Sequence, residues 1–215
     1  MLAPQGADLY RKYMAEVSSR LHVVGVAGSA TRAGNSDRLL DEALRGAGKE
    51  GAHVERVVAA ELAIEPCRAC DACRNTGRCI INSKAEEVHD KLRAADAVVL
   101  SSPVYFGGLP AQLKALIDRT QVQHWAWLAR GAPPPSRPAL LLTVAGRPHM
   151  NAALAGIRTT AAAWLAVLGF QVWQTQGYPG LDTPDAAASQ ASILAELEEL
   201  GRDLARAAAK RRRDR

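Results

Sequence analysis

Cys67, Cys70, Cys73 and Cys79 are the only cysteines in a chain of 215 residues, and all four fall in the stretch PCRACDACRNTGRC (Pro66–Cys79). Thiols spaced C-x2-C-x2-C-x5-C can serve few ends. With no other cysteine in the chain, all four must serve one site, and four thiolates in a compact loop can wrap a small cuboidal iron–sulfur cluster. Gly77 lets the chain turn back toward the fourth ligand. Structural zinc also accepts four cysteines, but its usual pattern is two C-x2-C knuckles separated by roughly a dozen residues or more. Two disulfides are geometrically possible and chemically out of place in a reducing compartment. Empty thiols are the remaining alternative. Arg68, Arg74 and Arg78 interleave the cysteines. They either offset the negative charge of a thiolate-bound cluster or are solvated surface cations.

A second kind of chemistry is written in GSATRAGNS (Gly28–Ser36). Ser29, Thr31 and Ser36 supply hydroxyls, Asn35 an amide and Arg32 a cation, ahead of a helix start. Free backbone N–H groups and the positive end of the helix dipole make such a loop an anion site. Hydroxyls suit a phosphomonoester because they donate hydrogen bonds without a fixed charge. The loop is neither G-x-G-x-x-G nor a P-loop with its Gly-Lys-Ser/Thr ending, so it points to a mononucleotide. The alternative is that Asn35 or Ser36 merely caps the helix.

Farther on, SPVYFGGLPAQLKALIDRT (Ser102–Thr120) sets Pro103, Val104, Tyr105, Phe106, Gly107 and Gly108 at the end of an apolar strand. An apolar, aromatic loop with glycines can flank a flat ring and bond its edge through backbone groups. The alternative is that Tyr105 and Phe106 pack beneath the following helix. AGRPH (Ala145–His149) is a third contributor: Gly146 allows close approach, and Arg147 can meet the electron-rich end of a ring or stand as a surface charge.

These loops must be positioned by regular elements. LHVVGVAG (Leu21–Gly28) reads as a buried parallel strand. NSDRLLDEALRGAGKEG follows with helical spacing closed by glycines, and HVERVV is a β-branched second strand. After the cysteines come a helix (KAEEVHDKLRAAD), a strand (AVVLSSPVYF) and a helix opened by proline (PAQLKALIDRTQ). RPALLLTVAG, NAALAGIRTTAAAWLAVLG and FQVWQTQ then give strand, helix and strand. A last helix over PDAAASQASILAELEELGRDLARAAAK starts after Thr-Pro. Strands alternating with helices predict an α/β fold, a doubly wound five-stranded parallel sheet of flavodoxin-like order 2-1-3-4-5, with a cysteine-rich loop after strand two. The ligand crevice then lies at the strands' carboxyl ends. RGAPPPSRP (Arg130–Pro138) is a connection and not a domain linker, since strand four follows directly.

Length and a 48% hydrophobic content suit one such domain. Residues 1–20 are expected to form a helical extension, 21–209 the domain with its cysteine loop at 66–79, and 210–215 a basic tail. No stretch approaches the roughly 18 unbroken apolar residues of a membrane span. The start lacks a signal-peptide pattern, so a cytoplasmic location is expected. The net charge of +5 is partly concentrated in KRRRDR (Lys210–Arg215), which reads as a solvated helix end and not as a nucleic-acid contact.

GSATRAGNS, SPVYFGGLPAQLKALIDR and the order of elements, over roughly Leu21–Trp173, resemble the flavodoxin-like NADPH-dependent FMN reductase family. Many of its members carry Pro where this chain has Ala30. The resemblance implies that Ser29, Thr31, Arg32, Asn35 and Ser36 hold the FMN phosphate, and that Pro103 to Gly107 line the flavin. The compact cysteine motif after strand two is similar to that of the iron–sulfur flavoproteins, a branch of the family. That likeness implies a 4Fe–4S cluster on Cys67, Cys70, Cys73 and Cys79, and a homodimer or homotetramer. A flavin exchanges one or two electrons and such a cluster one at a time, so the pair suits electron relay with NAD(P)H, ferredoxin or a small-molecule substrate as partner. A substrate-specific FMN dehydrogenase or reductase is the alternative, as is a redox-sensing or scaffold protein with a structural cluster. His124, His149, Tyr105 and Asp118 are candidates for proton chemistry by type only. Trp125 and Trp127 in QHWAWLA suit either a subunit interface or the core.

Overall fold

The computed structural model describes residues 20–81, 83–129, 136–147 and 151–214, leaving aside the side chains of 151–153. All but the last residue of the expected extension helix lies outside the described residues. So do most of the proline-rich connection, and His149.

Strands β1 (His22–Ala27), β2 (His53–Val58), β3 (Ala97–Pro103), β4 (Arg137–Ala145) and β5 (Phe170–Pro179) form one sheet of order β2-β1-β3-β4-β5. Every pairing is parallel. Sheet order and strand direction are those the alternation of elements predicts. Helices are α1 (Asn35–Lys49), α2 (Ala72–Thr76), α3 (Ala85–Ala94), α4 (Ala111–Asp118), α5 (Gln121–Ala129), α6 (Asn151–Val167) and α7 (Ala191–Arg213).

The central strands β1, β3 and β4 bury both faces, because successive side chains alternate across the sheet. Val23, Val99, Leu140 and Leu142 meet Leu39 and Leu40 of α1 and Leu197 and Leu204 of α7. Val24, Val98, Leu100 and Leu141 meet Leu92 of α3, Leu113 and Leu116 of α4, and Ile157 and Leu165 of α6. At the outer strand, Ala139 pairs with Val172 and Leu140 with Gln174, so Trp173 is the extra residue of a bulge.

Three helices differ from the sequence reading, and β5 runs three residues past the expected FQVWQTQ. The helix expected over Pro110–Gln121 breaks at Arg119–Thr120, and a separate α5 follows. A one-turn helix, α2, lies inside the cysteine segment. The last helix starts only at Ala191, not after Thr183-Pro184. There the backbone groups of Leu181, Thr183 and Ala187 are taken by the side chain of Asn35 and cannot all enter a helix. At its far end α7 runs on through Arg213, with four basic residues in the last turn, where positive charge complements the helix dipole.

Helices α1 and α7 touch backbone to backbone. A Cβ on Gly201 would lie 1.9 Å from the carbonyl oxygen of Ala43, and one on Gly46 would lie 1.9 Å from that of Glu198. Gly201→Ala is therefore expected to destabilise the domain. Overpacking costs about 1–3 kcal/mol, against a gain of about 1 kcal/mol in helix propensity. Thermal unfolding should show a lower Tm, by roughly 2–4 °C per kcal/mol of net loss. A raised Tm would contradict the close seam.

Candidate functional site

Between β1 and α1 the chain turns through Ser29–Gly34. Gly28 N–H donates to Ser101 O (2.8 Å), and the buried Ser29 Oγ accepts the N–H of Thr31 (3.0 Å). Asp37, buried in the first turn of α1, accepts the N–H of Ala33 through Oδ2 (3.0 Å) and pairs with Arg56 through Oδ1 (2.8 Å). Ala33 thereby sits at φ 55°. No side chain caps α1, because its N-cap is Gly34. The first-turn N–H groups stay uncapped by any side chain, as an anion site needs. Ser36 is buried, and its carbonyl accepts Ser101 Oγ (2.7 Å), tying the helix start to β3.

The two largest polar side chains of the loop are engaged elsewhere. Asn35 Nδ2 donates to Leu181 O (3.1 Å) and Thr183 O (2.7 Å), while Oδ1 accepts the N–H of Ala187 (2.9 Å). What Asn35 offers an anion is its backbone N–H. Arg32 is exposed and ion-paired with Glu61, in the short turn Ala59–Glu61 after β2.

After β3, Val104 N–H donates to Val144 O (2.8 Å), and Tyr105 and Gly108 exchange both backbone hydrogen bonds (3.0 and 2.9 Å). The two residues between them, Phe106 (φ 49°) and Gly107 (φ 76°), are both left-handed. This is the backbone of a type I′ turn. A bulky residue at positive φ is an outlier, and the Phe106 side chain is fully exposed, with Tyr105 half-exposed beside it. Strain and solvent exposure of an aromatic ring at a loop tip mark a presented surface, not core packing. From the neighbouring strand, Gly146 approaches Asp182 so closely that a Cβ would lie 2.3 Å from Oδ1. Arg147 is exposed next to it.

The cysteine segment leaves β2 at the same edge and then runs down the helix layer, with Leu62 and Ile64 packed on the core beside α3 and α4. Ala69 (φ 50°), Asp71 (φ 56°) and Gly77 (φ 69°) curl the loop through left-handed positions, the last two bracketing α2. The four cysteines are free, Cys67 and Cys70 exposed, Cys73 and Cys79 half-buried. All four line one cavity of about 330 Å³, together with Asp118, Arg119 and Val122. Burial first, then the neighbouring thiols, push the Cys73 thiol up from its ordinary value. Among the described residues no three His, Cys, Asp or Glu side chains are grouped to hold a single metal ion. Four thiols standing around one cavity are a donor set that fits a polynuclear cluster.

Behind this loop is a polar platform that sequence reasoning missed. Arg119 donates to Glu65 O (3.0 Å) and to Ile81 O (2.6 Å), one on each side of the cysteines. Next to it Trp164 Nε1 donates to Thr120 Oγ1 (2.8 Å), which meets the buried His89 Nε2 (3.0 Å). Within IDRT nothing distinguishes Arg119 from a surface charge, and within EEVHDKL nothing marks His89. Of the residues noted by type, Asp118 is paired with Lys114 (2.6 Å) and His124 stacks on Trp127 (centroids 6.4 Å apart). Trp125 and Trp127 are half-buried, and the Arg74 guanidinium lies over the Trp125 ring (4.8 Å).

The profile of NADPH-dependent FMN reductases matches residues 21–176, most of the chain. The chain belongs to that family. Among curated proteins it is 37% identical over 100 residues to an iron-sulfur flavoprotein of Methanosarcina thermophila (46% of this chain, 52% of the relative). It is 40% identical over 101 residues to one of Methanocaldococcus jannaschii (47% and 52%). The chain thus spans about half the length of the curated relatives it matches. Among solved structures it is similar to a flavone reductase (TM-score 0.65, 21% identity, 88% of this chain and 63% of that one). It is similar also to an NAD(P)H:quinone oxidoreductase from Methanothermobacter marburgensis (TM-score 0.62, 19% identity, 86% and 97%). At those identities the likeness is one of fold, and it agrees with the observed sheet.

The platform carries a pH signature. Burial pushes His89 down from 6.5 to about 4, so the folded chain holds it neutral. Between those values the unfolded chain binds the proton and the folded one does not. Stability should be full above about pH 6.5, fall as the pH drops toward about 4 by on the order of 3 kcal/mol, and then level off. Chemical unfolding of wild type and His89→Gln from pH 7 to 4 checks this. Equal slopes for the two proteins would contradict it.

Proposed function

We propose that this chain is an FMN-dependent oxidoreductase that carries a 4Fe–4S cluster on Cys67, Cys70, Cys73 and Cys79 and relays electrons between cluster and flavin. One observation carries the reading: in a member of an FMN reductase family, all four cysteines open on a single cavity. When bound, FMN supplies one- or two-electron chemistry and the cluster one-electron chemistry, so together they join carriers of either kind.

The chain's own residues bind and orient. The uncapped N–H groups at the start of α1, with Ser29, Thr31, Ser36 and the backbone of Asn35, would hold the phosphate, and Arg32 would stand at its rim. Pro103, Val104, Tyr105, Phe106 and Gly107 would flank the flavin ring, and Gly146 and Arg147 would meet its other edge. Helix α4 links the two sites, since it follows the aromatic turn and ends at the Arg119 that grips the cysteine loop. Its eight residues span about 12 Å. The single compact run C-x2-C-x2-C-x5-C, without two separated C-x2-C knuckles, and the one cavity its thiols line favour a cluster over a structural zinc.

The electron partner belongs to the same proposal: NAD(P)H, ferredoxin or a small organic molecule, met in the cytoplasm by a homodimer or homotetramer, with no nucleic acid or membrane involved. No helix among the described residues is long and apolar enough to cross a membrane. A second reading, a reductase or dehydrogenase of one small organic molecule, is favoured by the fully exposed Phe106, which offers a flat substrate an aromatic face.

Iron, sulfide and FMN are to be counted on protein prepared without oxygen, followed by visible spectra. The expected result is one FMN and four irons per chain, with absorbance that bleaches on NAD(P)H. Bleaching by one organic compound and not by nicotinamide selects the second reading. Cys73→Ala should lose the iron and keep most of the FMN. Zinc in place of iron, or loss of flavin alone in that variant, would overturn the assignment.

A further inference from the structure

Arg119 sits at the break between α4 and α5 and is 4% exposed. Its two terminal nitrogens donate to Glu65 O and Ile81 O, carbonyls just outside the two ends of the cysteine span. The same side chain lines the cysteine cavity. Nε is buried without an acceptor. The acids closest in sequence to these contacts are taken by other cations: Glu65 by Arg68 and Asp118 by Lys114. Among the described residues Arg119 therefore has neutral carbonyl partners and no ion pair.

A buried guanidinium without a counter-ion costs several kcal/mol. Its two carbonyl acceptors lower that cost, and an anion placed beside it would lower it further. Here the same cavity is lined by four thiols, and thiols that ligate iron do so as thiolates. The arginines interleaved with the cysteines are poorly placed for this role. Arg68 and Arg78 are exposed, and Arg74 is exposed over the Trp125 ring, so water and salt screen them.

We infer that Arg119 is the internal counter-charge and tie-bar of the cysteine cage: it draws both ends of the loop to one guanidinium and sets a fixed positive charge beside the anionic group the thiolates hold. This rests on the reading that the cysteines carry an iron–sulfur cluster. Arg119 is then a positioning residue that also sets the reduction potential. A neighbouring positive charge favours the form with one more electron, and removing it lowers the potential. Lys keeps the charge but, as a point donor, cannot bridge two carbonyls with the same geometry.

The test uses the full chain, purified and reconstituted with iron and sulfide without oxygen, as wild type, Arg119→Met and Arg119→Lys. Readouts are the rate of iron release to a ferrous chelator, an EPR-monitored redox titration, and FMN content. Arg119→Met is expected to release iron at least tenfold faster. Its one-electron reduction equilibrium should shift about tenfold toward the oxidised form, about 59 mV lower, with FMN retained. Arg119→Lys should release iron faster yet hold a potential near that of wild type. A folded, FMN-bearing Arg119→Met that matches wild type in both rate and potential overturns the inference. If that variant does not fold, unchanged iron release in Arg119→Lys overturns it. Wild type that takes up no iron overturns the cluster reading itself, and this inference with it.

Discussion

All five strands run the same way, and that single constraint decides where chemistry can happen in this molecule. Each strand ends at the same edge of the sheet, so the loops after β1, β3 and β4 gather there without any long-range design of their own. The chain after β2 starts from that edge as well. It then departs from the pattern: the carbonyls of Glu65 and Ile81, at its two ends, meet Arg119 at the junction of α4 and α5, and α4 is the element between that junction and the aromatic turn. Leu113 and Leu116 of that helix are fully buried, and a close-packed interior does not let such a helix slide.

Within this frame the loops are held by side chains bonded to distant backbone. Ser101 Oγ reaches Ser36 O, Asn35 reaches across to Leu181, Thr183 and Ala187, and Arg119 spans Glu65 and Ile81. Each such bond contributes only about 1 kcal/mol net, but leaving a buried partner unmade costs about 1–3 kcal/mol. The asymmetry makes these ties specific: they do little for stability and much for which loop conformation survives. A chain with 5% aromatic residues gets its loop geometry from polar contacts more than from ring packing.

The sheet order, the strand positions and the clustering of the cysteines were legible because each follows from a periodic or local signal: β-branched runs, helical spacing, thiols close in sequence. The Tyr105–Gly108 turn was visible as composition, not as a type I′ backbone, since Phe at a positive φ is the choice sequence statistics argue against. The delayed start of α7 was not legible, because Thr-Pro is an ordinary start signal and Asn35, which overrides it, is 146 residues away from Leu181. Arg119 was hidden for the same reason. Its burial depends on where the loop from β2 comes to rest, and no spacing rule carries that information.

The two candidate sites treat charge in opposite ways. The loop after β1 presents neutral donors, uncapped N–H groups and hydroxyls, while its one cation, Arg32, is exposed and paired with Glu61. Neutral donors fixed by the fold cost little when the site is empty, because water replaces the ligand readily at an open helix end. The cysteine loop instead packs on a buried formal charge, Arg119, which lines the same cavity as the four thiols. A buried charge is costly when no anion stands beside it, so an anionic group bound there would couple its loading to folding. The first arrangement suits a group that exchanges with solvent; the second suits one that is assembled in place and retained.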